Sequence, residues 1–442
     1  MSLLKNVIKL GSANVALLAA QIATVIALGL VVEPEAFAVF LLGLSIAQPF
    51  AAFAMLRFDS AIPSAQTRRD LSGLLVLASA SLLILALLEY TGVFVLRTYE
   101  LFELQSLPTW GILVVVLITM SLSAAQLGRY WAIRHMNLAV IERATYSRAA
   151  LIFVLRGAVI LGVLYQPQVL SGLSAGIVLL VAELVASFFT AVLLRPKSVD
   201  STEKERPEKE PLDLPAVRST LRANWKFPLL ETPSAIVDSF LVHAPIFVVT
   251  QFFGLTATAS FGLAFRALAV PIGQLSLALT EVMQSHYSEH LRKNRLADFG
   301  DLFRRSSLAL LVLGVVGCIV IYFVLEKTVV MIAGEKMREF AILCVTISPW
   351  IAMNVLVNIN SRLLPLLKRQ ELKLVYDAFG VVVLLAVIFL QIRLQLDLVP
   401  FVAMLTAAKV AAYVVYWFLI RSAVRNVIKL PADSNNPPSA ST

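Results

Sequence analysis

The sequence predicts an all-α polytopic membrane protein with twelve transmembrane helices. Three observations carry that prediction. The 442 residues are 59% hydrophobic and only 15% charged, with mean hydropathy +0.84, far from the balance of water-soluble domains. Apolar runs of about 20 residues, long enough to cross ~30 Å of hydrocarbon as helices, recur along the whole chain. Basic residues gather in loops on alternate sides of those runs, the positive-inside pattern of membrane topology.

In chain order the predicted spans cover 10–32, 36–56, 72–96, 109–131, 148–165, 172–194, 227–253, 257–285, 306–325, 340–365, 374–391 and 398–420. The small-residue "AFA" at 36–38 raises a signal-peptide reading for the first. That apolar run is too long for a signal core and more spans follow, so it is read as an uncleaved helix. An even count places both termini on one side. With that side cytoplasmic, the inside segments hold 29 of the 37 Lys and Arg. The outside loops hold five: Arg97, Lys327, Lys336, Arg338 and Arg393. Trp110, Trp131, Trp225 and Trp417 fall at span ends, where aromatic belts belong. The net charge of +9 therefore reports topology and not a nucleic-acid partner. Cys318 and Cys344 both fall within spans and imply neither a disulfide framework nor a metal cluster.

The outside loops are short. The one long polar segment lies inside, so the chain divides into an N-terminal lobe (1–195, spans one to six), a charged linker (196–222) and a C-terminal lobe (223–430). The proline-rich linker with near-balanced charge reads as flexible, and 431–442 as a disordered tail. A six-plus-six division suggests internal duplication. "AFAVFLLGLSIAQPF" (36–50) can be laid against "ATASFGLAFRALAVPIG" (257–273), pairing Phe40 with Phe261 and Pro49 with Pro271.

Five charged residues sit near the bilayer midplane: Arg156, Arg266, Lys409, Glu183 and Asp238. Each costs ~2.5–3.5 kcal/mol if unpaired, on the order of 15 kcal/mol together, so they point into the bundle or a wet cavity. One reading is structural, with Arg156 paired to Glu183 on the adjacent helix. Three cations against two anions cannot all pair, however, and a positive surplus suits a pathway for an anionic group. Span seven, within "NWKFPLLETPSAIVDSFLVHAPIFVVTQFF", places Glu231, Ser234 and Asp238 on one helical face with Pro245 continuing it. Such a polar stripe fits a cavity wall, with Pro228, Pro233 and Pro245 as sites of bending. His243 falls off that face and reads as a packed side chain, as does Trp350. Asp59, Glu89 and Glu281 read as ordinary charges at span borders. There is no Walker A loop, HExxH, GxSxG or CxxC, so nothing suggests a soluble catalytic site, an ATPase or a cofactor.

The chain also resembles a known family. Trp225, Lys226, Phe227, Pro228, Pro233, Ser234, Pro245, Phe253 and Gly254 match the seventh-span pattern of bacterial polysaccharide and O-antigen (Wzx-like) flippases, in the multidrug/oligosaccharidyl-lipid/polysaccharide export superfamily. "FGLAFRALAVPIGQLSLALTEVM" is similar to the family's eighth span, with Arg266 and Pro271 in place. "LRFDSAIPSA" (56–65) is similar to its motif after span two, with Arg57 and with Asp59 where Glu is commoner. The resemblance implies two six-helix lobes around a central cavity, opening alternately to each face of the bacterial inner membrane. It implies a polyprenyl-diphosphate-linked oligosaccharide as cargo, with the pathway's polymerase and glycosyltransferases as partners. Arg156, Arg266 and Lys409 would then meet the diphosphate, Glu183 or Asp238 would couple an ion, and Pro49 and Pro271 would join the kinks. Arg57 and Asp59 would form a cytoplasmic gate. Alternatives are an ion-coupled multidrug exporter or lipid II flippase of the same superfamily. A membrane glycan polymerase or glycosyltransferase is disfavoured by the short outside loops.

Overall fold

The computed structural model describes residues 2–65, 67–135, 137–166, 173–195, 214–225, 227–293, 295–325, 328, 331, 337–361, 363–367, 369 and 371–429. The described residues are helical, with no strand among them. The long helices are α1 (Ser2–Val31), α2 (Pro34–Phe53), α3 (Arg68–Thr98), α4 (Thr109–Arg134), α5 (Leu138–Tyr165) and α6 (Leu173–Leu194). A short α7 (Leu214–Ala223) precedes α8 (Thr232–Arg292), α9 (Leu296–Val320), α10 (Arg338–Ser361), α11 (Glu371–Leu394) and α12 (Leu398–Lys429).

Eleven helices among the described residues are long and apolar enough to cross a membrane. The 61-residue α8 would extend about 90 Å if straight, three bilayer cores end to end. It is broken at Gly254, whose φ of 78° and ψ of −174° belong to a region essentially reserved for glycine. The break separates predicted spans seven and eight, so the twelve-span architecture holds. Helices satisfy every backbone group internally, which is what a chain immersed in hydrocarbon requires.

By internal contacts the chain forms two units, Met1–Ala267 and Leu268–Thr442. In the first, α2 is the central helix. All residues from Ala36 to Ala47 are buried, as expected of a helix apolar on every side. It begins with Pro34, whose missing N–H costs nothing at a helix start, and packs on α4 and α6. α1 packs on α5, and α3 on α4. Thr67 caps α3 by accepting the Asp70 N–H at 3.0 Å. The part of α8 that follows Gly254 docks on α2 at Gly262, where a Cβ would collide with Leu41. The two segments aligned as possible repeats are thus packed against each other. In the second unit, α10 packs on α9 and α12, and α11 on α12. Tyr287, Phe299, Phe303, Leu363, Tyr416 and Ile420 form its core.

Of the linker expected over 196–222, residues 196–213 lie outside the described residues, as does the tail 430–442. Its remaining part is α7, a helix packed on α3 through the buried Thr220.

Candidate functional site

Three of the four predicted midplane charges of the first unit, Arg156, Glu183 and Arg266, gather around Phe40 of α2, and Asp238 does not. This ring is fully buried, and two guanidiniums stand over it. The Cζ of Arg156 from α5 is 5.3 Å from the ring centroid, and that of Arg266 from α8 is 5.8 Å. Arg156 Nη2 donates to Glu183 Oε2 of α6 at 2.8 Å. Arg156 Nη1 donates to Thr24 Oγ1 of α1 at 3.3 Å, and the Thr24 hydroxyl in turn donates to the Ala20 carbonyl at 2.7 Å. Arg148, two turns earlier on α5, donates through Nη2 to the other Glu183 oxygen at 3.0 Å. Arg156 and Glu183 are 3% and 4% exposed, so water contributes little to their charge balance.

The cluster therefore holds three guanidiniums and one carboxylate. Both oxygens of Glu183 are taken, yet the Nε atoms of Arg148 and Arg156 are buried with no hydrogen-bond acceptor among the described residues. Unpaired buried donors of this kind are costly, and an anion entering the cluster would satisfy them. His243 is an electrostatic neighbour of Arg266. Lys409 belongs to the second unit, where its Nζ lies 5.7 Å from the ring centroid of Trp350. Trp350 is 3% exposed, a core position.

The stripe expected along span seven is divided. Glu231 ends the π-helical turn Phe227–Glu231, which also contains Pro228. There it accepts from Ser60 Oγ at 3.4 Å and faces Arg57 Nε at 3.9 Å. Ser234 is half-buried and Asp238 exposed in α8. Pro233 is the second residue of α8, so it starts that helix and does not bend it. Pro245 lies buried inside α8, and Pro49 inside α2. Pro271 falls within α8, but its side chain lies outside the described residues, as does Lys226.

Arg57 and Asp59 follow α2 on a chain reversal where Leu56 and Arg57 have φ of 46° and 61°. Asp59 is buried at 4% exposure and accepts from Gln126 Nε2 of α4 at 2.8 Å. Burial raises its carboxyl above the ordinary range, against the opposing pull of Arg57.

Two residues escaped the sequence reading. Arg148 is the first residue of predicted span five and is not among the predicted midplane charges. Glu89 was read as a border charge but is wholly buried in α3. Its Oε1 accepts from Thr119 Oγ1 of α4 at 2.8 Å, and its Oε2 has no partner among the described residues. The apolar "YTGVFVL" between Glu89 and Arg97 was the available signal, since it sets the border beyond Glu89.

No protein-family model matches the chain, and no curated protein matches it. Solved structures do. The lipid II flippase MurJ, in an inward closed conformation, aligns with TM-score 0.69 at 14% identity, covering 95% of this chain and 90% of that one. An inward-facing MATE multidrug resistance transporter of the MOP superfamily aligns at 0.62 and 14% identity over 96% of both. A MOP superfamily transporter from Pyrococcus furiosus, described as having a binding pocket of reverse polarity, aligns at 0.58 and 14% identity over 97% of both. The chain therefore has the fold of the MOP superfamily transporters.

Proposed function

We propose that the chain is a flippase that moves a polyprenyl-diphosphate-linked oligosaccharide from the inner to the outer leaflet of a bacterial inner membrane by alternating access, for exopolysaccharide, capsule or O-antigen assembly. The observation that carries this reading is the cluster around Phe40, with three guanidiniums, one carboxylate and two buried guanidinium N–H groups lacking acceptors among the described residues. A diphosphate is excluded from hydrocarbon by its charge and needs such donors on its way across. Arg266, the cation of the cluster outside its two ion pairs, is the group proposed to meet it, and Lys409 of the second unit is proposed as a separate contact along the way. The fold shared with a lipid II flippase supports a lipid-linked cargo.

No nucleotide-binding loop is present in the sequence, so the energy is proposed to come from an ion gradient or from consumption of the product. Glu183 is held by two arginines, which favours the exposed Asp238 as the coupling carboxylate. Arg57, Ser60 and Glu231 join the turn after α2 to the start of α8, a contact suited to a gate.

The fold shared with multidrug transporters supports a second reading as a drug exporter. Organic cations, however, call for a carboxylate surplus, and this cluster has the opposite sign. The test uses the purified full chain in proteoliposomes with a short-chain polyprenyl-diphosphate oligosaccharide. Arg266→Ala is expected to lower translocation at least about 10-fold, with partial recovery in Arg266→Lys. Undiminished translocation in Arg266→Ala would overturn the reading, and so would transport of cationic dyes in place of the glycolipid.

A further inference from the structure

The second unit carries a groove of about 660 Å³ between α9, α10 and α12. One end is apolar, formed by Leu311 of α9, Met353 of α10 and Val414 of α12. The other end carries three guanidiniums, Arg304 of α9 and Arg421 and Arg425 of α12. These two ends have a fixed order along the helices. Arg304 lies two turns into α9, which begins at Leu296, and Arg421 and Arg425 lie within the last turns of α12, which ends at Lys429. The three cations therefore share one membrane border, and the apolar end runs from them toward the midplane. The groove is closed beyond the arginines at Gly300, where Ile428 Cδ1 comes within 2.6 Å of the place a Cβ would occupy.

The balance of charge at this border is positive. Among the described residues the carboxylate in contact with these arginines is Asp301, whose Oδ1 is 3.2 Å from Arg304 Nη2, and both side chains are mostly exposed. Arg421 lies over the Trp417 ring at 5.2 Å, so its guanidinium is positioned beside an aromatic surface of the kind found at lipid headgroup level. The wall formed by α9 is bare. Leu308 and Leu311, which line it, are 61% and 43% exposed, on a helix of membrane-spanning length. Water at such a surface would be costly, and acyl chains are its natural neighbour.

We infer that this groove is a binding site for an anionic phospholipid of the surrounding bilayer, with the phosphate on Arg304, Arg421 and Arg425 and an acyl chain along Leu311, Met353 and Val414. Guanidiniums take phosphate oxygens in bidentate fashion, and basic pockets between transmembrane helices select anionic headgroups on this principle. A free phosphate would leave the apolar end unfilled, whereas a phospholipid matches both ends. The site is independent of the cargo proposed above and lies within the second unit.

The test places the full chain in nanodiscs of phosphatidylcholine with increasing phosphatidylglycerol, reading retained lipid by native mass spectrometry and stability by thermal midpoint. The wild type is expected to retain phosphatidylglycerol in preference to phosphatidylcholine and to gain stability as its fraction rises. Arg421→Gln with Arg425→Gln should lower that retention at least about 10-fold and abolish the gain. Arg305→Gln, on another face of α9, removes the same charge and should change neither. Leu311→Trp fills the apolar end without altering charge and should also displace the lipid, which decides the matter if the double variant fails to fold. Equal retention of the two lipids by the wild type overturns the inference. So does undiminished phosphatidylglycerol on the double variant or on Leu311→Trp, or a dimer that buries the groove and is lost on Leu311→Trp.

Discussion

Arg156 and Arg266 share one aromatic ring, with their guanidinium carbons 5.3 and 5.8 Å from the Phe40 ring centroid. Two like charges held this close in a membrane-length bundle repel each other, and the ring's electron-rich face offsets part of that repulsion. Desolvated cation–π contacts contribute about 2 kcal/mol or more. Phe40→Leu keeps an apolar side chain, though a smaller one, and removes the π face from both cations. A loss of about 2–4 kcal/mol in thermal stability is expected, with Phe40→Tyr close to wild type if the added hydroxyl is accommodated. Melting in detergent, followed by intrinsic fluorescence, checks both.

Glu183 is shared between Arg148 and Arg156, at 3.0 and 2.8 Å. Removing one member of a buried ion pair leaves an uncompensated charge, which costs about 3–5 kcal/mol. Glu183→Gln is therefore expected to be far more damaging than Arg156→Gln with Glu183→Gln together. A double-mutant cycle on thermal stability reads the difference. Equal damage from the single and double changes would contradict the pairing.

Asp59 gives a pH dependence outside the spans. Burial raises its carboxyl in the folded state above the ordinary range, so the folded chain holds this proton more tightly than the unfolded chain. The stabilisation from protonated Asp59 is complete below the unfolded value of about 4 and is lost as pH rises through the folded value. Asp59→Asn keeps an acceptor for Gln126 and carries no charge. The variant should match or exceed wild-type stability at neutral pH, and the gap should close toward pH 4. A gap that widens on acidification would refute this assignment.

Glu89 has no charged partner among the described contacts, only the Thr119 hydroxyl at 2.8 Å. Burying an uncompensated charge is expensive, so the neutral isostere in Glu89→Gln should leave stability unchanged or higher. Thr119→Val leaves the carboxyl without its donor and should cost about 1–3 kcal/mol. Urea or thermal unfolding in mild detergent distinguishes the two variants.

Gly254 separates the seventh and eighth spans. Nothing lies within 4 Å of a Cβ added there, so any effect of Gly254→Ala is conformational and not steric crowding by neighbours. Its backbone region is closed to other residues, and a penalty of about 1–3 kcal/mol is expected. A variant as stable as wild type would show that the two helices can join another way.

Much of the architecture was legible in the sequence because a bilayer imposes a one-dimensional rule. Each span must be apolar for about 20 residues, and loops carry the charge, so hydropathy alone places α1–α6 and α9–α12 close to where they are. The pairing of Arg156 with Glu183 was also legible, since opposite charges on neighbouring spans have few other ways to meet the cost of burial. Facing was a different matter. In a membrane both the lipid and the bundle core are apolar, so hydrophobic periodicity does not tell an inward side chain from an outward one. That is why Glu89 passed for a border residue, Arg148 drew no notice at the start of its span, and Glu231 passed for a member of a stripe when its partners are Arg57 and Ser60. It is also why Phe40, one apolar residue in a run of them, gave no sign of meeting two arginines. By itself the sequence determined which segments cross the membrane and which charges they carry. Only the packing of helices distant in the chain decided which of those charges meet, because a contact depends on the rotation of two helices about their axes and the local pattern of each leaves that rotation open.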